Sequence, residues 1–152
     1  MHNFIYHAPC CALILQIDAQ QKLHKINWQQ HQNVNLPLLT GMWADKLDAY
    51  FAGELQNFAY PPSTSGTPFQ QKVWQVIAAI PYGQVISYGD IARLIGSSPR
   101  AVGQACGRNP LPIIIPCHRV VSACGLGGFS LSNQDFELNI KRWLLTHEGA
   151  TW

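Results

Sequence analysis

Ser87-Tyr-Gly-Asp90-Ile-Ala-Arg-Leu-Ile-Gly96-Ser-Ser-Pro99-Arg-Ala-Val-Gly-Gln-Ala-Cys-Gly-Arg108 reads as two short helices separated by a tight turn. Ser87 stands where a cap is needed, and Asp90 follows three residues later, near the positive end of the helix dipole. Ile91, Ala92, Leu94 and Ile95 supply a short apolar stripe, which Gly96-Ser97 ends. Ser98-Pro99 then opens the next helix, with proline at the position where its missing N–H costs nothing. Two helices on a glycine-containing turn make a helix-turn-helix pattern. That pattern serves DNA-binding proteins and ordinary helical pairs alike.

The second helix has an unusual composition. Arg100, Gln104 and Arg108 recur at i, i+4 and i+8, flanked by Gly103 and Gly107, while Ala101, Val102, Ala105 and Cys106 fill the remainder. So little side-chain bulk lets a helix approach another backbone closely. The partner can be a nucleic-acid groove or a tightly packed core.

Asn109-Pro110-Leu111-Pro112 breaks this helix, and Ile113-Ile114-Ile115 reads as a buried strand that Pro116 stops. Cys117, His118 and Arg119 follow at the stop. A thiol beside an imidazole and a guanidinium sits in a field that favours thiolate, the nucleophilic form. Adjacency alone does not pair Cys117 with His118, because successive side chains on an extended chain face opposite ways. Farther on, Cys124-Gly-Leu-Gly-Gly-Phe-Ser130 is a glycine loop with an aromatic at its tip; it lacks the Gly-Lys-Ser/Thr ending of a phosphate loop. Phe136, Ile140, Trp143, Leu144 and Leu145 mark a last helix from Asp135, ending at His147-Glu148-Gly149 with glycine in its usual capping place.

Upstream, Thr67-Pro68-Phe69-Gln70 carries the signature of a capping box. Phe69, Val73, Trp74, Val76, Ile77 and Ile80 form the apolar face of the helix it opens, and Pro81-Tyr82-Gly83 closes it. Tyr60-Pro-Pro-Ser-Thr-Ser-Gly66 reads as a linker, which divides the chain into residues 1–62 and 63–152. Before it, Pro9–Ile17 and Leu23–Trp28 suggest a hairpin or meander around Asp18–Lys22, and apolar residues recur at helical spacing from Leu38 to Gly53.

Across 152 residues, 47% apolar and 12% charged residues point to a globular protein. No run of eighteen apolar residues and no signal-like N-terminus is present, so a soluble, cytoplasmic protein without membrane association is expected. Five cysteines, an odd number, argue for free thiols over a disulfide framework. Cys10-Cys11 with His2 and His7 matches no zinc spacing, and no metal is expected. Residues 1–62 carry three Lys against four acids, and residues 63–152 seven Lys/Arg against four acids, so the second segment is the more basic.

Phe69-Gln-Gln-Lys-Val-Trp74, Ile80-Pro-Tyr-Gly83, Ser87-Tyr88, Arg100-Ala-Val-Gly103, Asn109-Pro110, Ile115-Pro-Cys-His-Arg-Val120 and Trp143-Leu-Leu-Thr-His-Glu-Gly149 together resemble the O6-alkylguanine-DNA alkyltransferase family, the methylated-DNA:protein-cysteine methyltransferases. Residues 1–62 match only loosely. The resemblance implies an α+β protein, with a small ribonuclease-H-like sheet-and-helix domain followed by a mostly helical domain bearing a helix-turn-helix of the winged-helix type. It implies direct, stoichiometric transfer of an alkyl group from O6 of guanine to Cys117, with O4-alkylthymine as a further substrate the family reading allows. His118, acting through a water and oriented by Glu148, would take the thiol proton. Tyr88 would donate to N3 of the departing guanine, and Asn109 would brace the turn behind the site.

By the same resemblance the nucleotide rotates out of the duplex, Arg100 fills the vacancy, and its helix lies in the minor groove through Ala101, Gly103, Gln104 and Arg108. Pro116 and Phe129 would line the pocket, and the Val120 carbonyl and Ser130 would contact guanine edges. The expected partner is double-stranded DNA carrying alkylated bases, bound by a monomer that uses no cofactor. Three features depart from the family pattern: the Gly-Ser-Ser-Pro turn is short, residues follow Ser130 as an insertion around 133–137, and Phe129 replaces the commoner tyrosine. A lesion-binding protein of the same fold that does not transfer the alkyl group, and a cysteine hydrolase, are the competing readings; the first replaces the acceptor cysteine that this chain keeps.

Overall fold

The computed structural model describes residues 1–30, 35–59, 65–127 and 135–152. These form two compact units, Met1–Phe58 and Ala59–Trp152. Residues 60–64, most of the expected linker, lie outside the described residues, as do Phe129 and Ser130.

In the first unit, β1 (His2–His7), β2 (Ala12–Ile17) and β3 (Leu23–Gln29) form an antiparallel meander in that order. The expected turn between the second and third strands is held by the Asp18 carboxylate, which accepts from the Gln20 and Lys22 N–H groups at 2.9 and 3.0 Å. Helix α1 runs over Met42–Phe51 and buries Trp43, Leu47 and Tyr50. The helix does not begin at Leu38 as its apolar spacing suggests. Residues 37–39 stay extended because the backbone of Ile5 bonds to both Pro37 and Leu39, and a strand-like pairing displaces the first helical turn.

The second unit follows its caps closely. Helix α2 (Pro68–Ala78) has the full capping box: Thr67 Oγ1 accepts from Gln70 N–H, and the Gln70 side chain accepts from Thr67 N–H. Helix α3 (Tyr88–Ile95) starts on Ser87, whose hydroxyl accepts from Asp90 N–H, and ends on Gly96 in the left-handed region at φ 69°. Helix α4 (Pro99–Gly107) starts on Ser98 in the same manner. Its inner face, Val102, Ala105 and Cys106, is buried, and the Trp74 indole N–H reaches the Ala105 carbonyl at 2.9 Å. Arg100, Gln104 and Arg108 are exposed. The inner face of the small-residue helix is therefore packed, and its polar outer face is left exposed.

The triple isoleucine is not a strand. Ile113, Ile114 and Ile115 are buried, but Ile115 N–H bonds back to Leu111 C=O at 2.8 Å, and Ile113 sits at φ 74°, a conformation that β-branched residues rarely adopt. Apolar composition predicted burial correctly. The pairing it suggested is replaced by a compact turn, which the Asn109 side chain braces at Leu111 N–H and Ile115 C=O. Two-residue strands β4 (Ile86–Ser87) and β5 (Val120–Val121) pair in parallel. Helix α5 (Asp135–His147) packs Ile140, Lys141, Leu144 and Leu145 inward.

Candidate active site

Asn109 organises the approach to Cys117. Its Oδ1 accepts from Leu111 N–H at 2.9 Å, and its Nδ2 donates to Ile115 C=O at 2.7 Å. Buried Pro116 then takes φ −79° and ψ 66°, with Cys117 N–H bonded to Ile115 C=O at 2.7 Å. This is an inverse γ-turn. It delivers Cys117 as the first residue of a single 3-10 turn, Cys117–Arg119, whose three residues are all buried.

Pairing of β4 with β5 sets Ser87 opposite Val121, so Tyr88, the next residue, lies beside this turn. A Cβ on Gly127 would fall 2.9 Å from the Tyr88 ring, and one on Gly103 would meet the same ring at 4.0 Å. Glycines on two sides thus make room for the phenol. Burial raises the Tyr88 pKa, with negative charge on Cys106 and Cys117 acting in the same direction, so the hydroxyl remains a proton donor.

At the other end of the site, α5 ends in a Schellman motif. Ala150 N–H bonds to Leu145 C=O, Gly149 N–H bonds to Thr146 C=O, and Gly149 sits at φ 72°. The motif fixes Glu148 at the helix end, with its carboxylate fully buried. His118 Nε2 lies 2.8 Å from Glu148 Oε2; Arg119 Nε donates to Oε1 at 2.8 Å, and Nη2 donates to Oε2 at 3.0 Å. The third Arg119 nitrogen, Nη1, donates to Ile80 C=O at 2.7 Å, and the guanidinium lies over the Tyr82 ring. Ile80-Pro-Tyr-Gly83 is therefore the far wall of the Glu148 site.

A carboxylate can only accept, so His118 Nε2 carries the hydrogen and Nδ1 offers a lone pair. Nδ1 is buried with no partner among the described residues. Burial lowers the His118 pKa despite Glu148, so the ring is neutral and Nδ1 can act as a base.

The expected thiolate-favouring field is corrected by this geometry. The Arg119 guanidinium and His118 Nε2 both face Glu148 and not the sulfur. Burial pushes the Cys117 thiol up to about 11, opposed by the Asn109 side chain, by Lys141 and by the N–H groups of Cys117 and His118. The resting protein holds a thiol.

Lys141 was not anticipated from sequence. Its ammonium is buried, donates to the Val120 carbonyl at 2.7 Å and lies 5.7 Å from the Tyr88 ring centre. Burial lowers its pKa to about 8, while the Cys117 and Cys106 thiols pull it upward. Its position between Ile140 and Leu144, a heptad before Glu148, was the available signal.

Cys117, His118, Glu148, Asn109 and Tyr88 are thus gathered in one place, with Pro116 and Val120 at its edge. Arg100, Gln104 and Arg108 lie on the opposite, outer face of α4, and Ala101 and Gly103 are half-buried. A family model described as the DNA-binding domain of 6-O-methylguanine DNA methyltransferase matches residues 68–150, more than half of the chain.

The chain belongs to the 6-O-methylguanine DNA methyltransferase family.

Members of this methyltransferase family match on both sequence and structure. The methylated-DNA–protein-cysteine methyltransferase of Methanosarcina acetivorans is 47% identical over 163 residues, covering 99% of each chain. The constitutive enzyme of that name from Bacillus subtilis is 52% identical over 103 residues, covering 64% of this chain and 62% of the relative. Among solved structures, the Mycobacterium tuberculosis family member in complex with DNA superposes with a TM-score of 0.80 at 37% identity, covering 97% of this chain and 93% of its own. The O6-methylguanine-DNA methyltransferase of Pyrococcus kodakaraensis gives 0.72 at 28% identity.

Proposed function

We propose that the protein repairs alkylated DNA by moving a methyl or larger alkyl group from O6 of guanine to Cys117, once per molecule. The observation that carries this reading is a buried thiol that shares one 3-10 turn with an imidazole whose Nδ1 has no partner among the described residues and whose Nε2 is held by Glu148. The thiol proton passes through a water to Nδ1, and Glu148 stabilises the imidazolium. The sulfur then attacks the alkyl carbon, the carbon–oxygen bond breaks, and its electron pair goes to the guanine. Tyr88 donates to N3, making the base a better leaving group. A thioether remains, and no group in the site can cleave it.

Because burial raises the thiol pKa, the ammonium of Lys141 and the Asn109 amide matter most as the thiolate forms. They oppose the cost of charge in a buried site. Arg100, Gln104 and Arg108 present a polar, basic face to the duplex, and the half-buried Ala101 and Gly103 let α4 sit close to the minor groove while the lesion turns out of the stack. Pro116, Phe129, Ser130 and the Val120 carbonyl make up the base pocket in this reading. The first unit corresponds to a ribonuclease-H-like domain and the α3–α4 pair to a helix-turn-helix of the winged-helix type. The protein acts as a monomer in the cytoplasm on double-stranded DNA.

The test is incubation of the full chain with a duplex holding one labelled O6-methylguanine. Label should move to Cys117 in a one-to-one ratio and then stop, and Cys117→Ser should bind the duplex without transfer. Label on another residue, or continued turnover, would remove the proposal. Gly127→Ala offers a second check. Its new methyl meets Tyr88 at 2.9 Å and the Ser122 nitrogen at 3.2 Å, at φ 74°. Displacing the proton donor by a fraction of an ångström to one ångström is expected to slow single-turnover transfer about a hundredfold.

A further inference from the structure

Cys10 and Cys11 lie at the tip of the β1–β2 hairpin. His7 and Ala12 are the last paired residues of the strands, and Ala8 N–H closes the turn onto Cys11 C=O at 2.9 Å. Consecutive side chains of an extended segment diverge. Here the turn swings both to one side, so that the two sulfurs are 3.5 Å apart. Cys11 is fully buried, and Cys10 is half-buried at the surface. No cluster of three or more metal-ligating side chains occurs among the described residues; the groups that the turn brings together are the two sulfurs.

We propose that Cys10 and Cys11 form a two-sulfur site for a soft, thiophilic centre, of which trivalent arsenic is the representative. Sulfur ligands select soft centres. Two thiols already in contact can bond one atom together without the entropic cost of gathering them. Cys10, the less buried of the two, is the sulfur that a reagent meets first. With an organoarsenic(III) oxide the step balances without any oxidant. Two sulfur–arsenic bonds form, the arsenic–oxygen bond breaks, and the two thiol protons leave with that oxygen as water.

Phenylarsine oxide is the probe. One equivalent added to the full chain should be retained through desalting, lower the titratable thiols from five to three, and be released by a small dithiol. Cys10→Ser is the informative variant, since its side chain is outside the core. It should lose retention while keeping methyl transfer. Cys117→Ser should keep retention, because the Cys106 and Cys117 pair is not the site. Retention by Cys10→Ser, or its loss in Cys117→Ser, would overturn the proposal. Neither result bears on alkyl transfer, which is measured separately in the same samples.

Discussion

Glu148→Ala is expected to lower the stability of the second unit by about 3–5 kcal/mol, the usual cost of removing one partner from a buried ion pair. The carboxylate accepts from His118 and twice from Arg119. Without it the Arg119 cation stays buried, among the described residues, with the Ile80 carbonyl and the Tyr82 ring. For a unit of this size the loss corresponds to at least about 12 °C in melting temperature. Glu148→Gln separates fold from chemistry. The amide keeps the shape and one acceptor for Arg119, so melting falls less. Its NH2 group, however, faces His118 Nε2, and the imidazole must then accept there and carry its hydrogen on Nδ1. With the wrong tautomer the base is lost, and transfer should fall about a thousand- to ten-thousandfold. Thermal melts and single-turnover rates on the same two variants test this. A Glu148→Gln protein that transfers at the native rate would reduce Glu148 to a structural anchor for Arg119.

The parts of this chain that sequence exposes are those governed by local chemistry. Thr67, Gln70, Ser87, Ser98 and Gly149 act on backbone groups a few residues away, and each stands where its cap was expected. The polar face of α4 follows from helical period alone. What was hidden depends on partners distant in sequence. Arg119 reads as a neighbour of Cys117, but its hydrogen bonds go 29 residues downstream to Glu148 and 39 upstream to Ile80. Three isoleucines announce burial without saying what satisfies their backbone; here Ile115 N–H turns back to Leu111 C=O, and the Ile115 carbonyl accepts from Asn109 and from Cys117 N–H. A helix from Leu38 was equally plausible until Ile5 claimed the backbone of Pro37 and Leu39. Lys141 was the largest omission: a single lysine in an apolar stripe resembles a surface residue at the stripe's margin unless the cavity it fills is known.

That lysine carries the second large effect. Below pH 8 its amine is protonated in folded and unfolded chains alike, and the fold bears the cost of a buried charge. Between about 8 and the unfolded value of 10.5 the folded chain has released the proton and the unfolded chain has not, so stability rises with pH. Cys117 works in the opposite sense. Its unfolded thiol ionises near 9 and the buried one near 11, so stability falls across that interval. The net rise is therefore confined to pH 8 to 9, with a slope of at most about 1.4 kcal/mol per pH unit. Lys141→Met removes the rise and leaves only the fall, which urea midpoints measured from pH 7.5 to 10 will resolve. At pH 7 the variant should lie within about 1 kcal/mol of the native protein, because the charge that is costly to bury goes while the Val120 carbonyl loses a donor. Transfer responds differently. An opposite charge close to a thiolate shifts its pKa by about one to three units, so losing the ammonium should slow the reaction about ten- to a thousandfold. The fold thus keeps a buried cation that does little for its own stability, and the thiolate gains by it. If Lys141→Met retained both the native rate and the alkaline rise, the counter-charge to Cys117 would have to come from Asn109 and the backbone N–H groups alone.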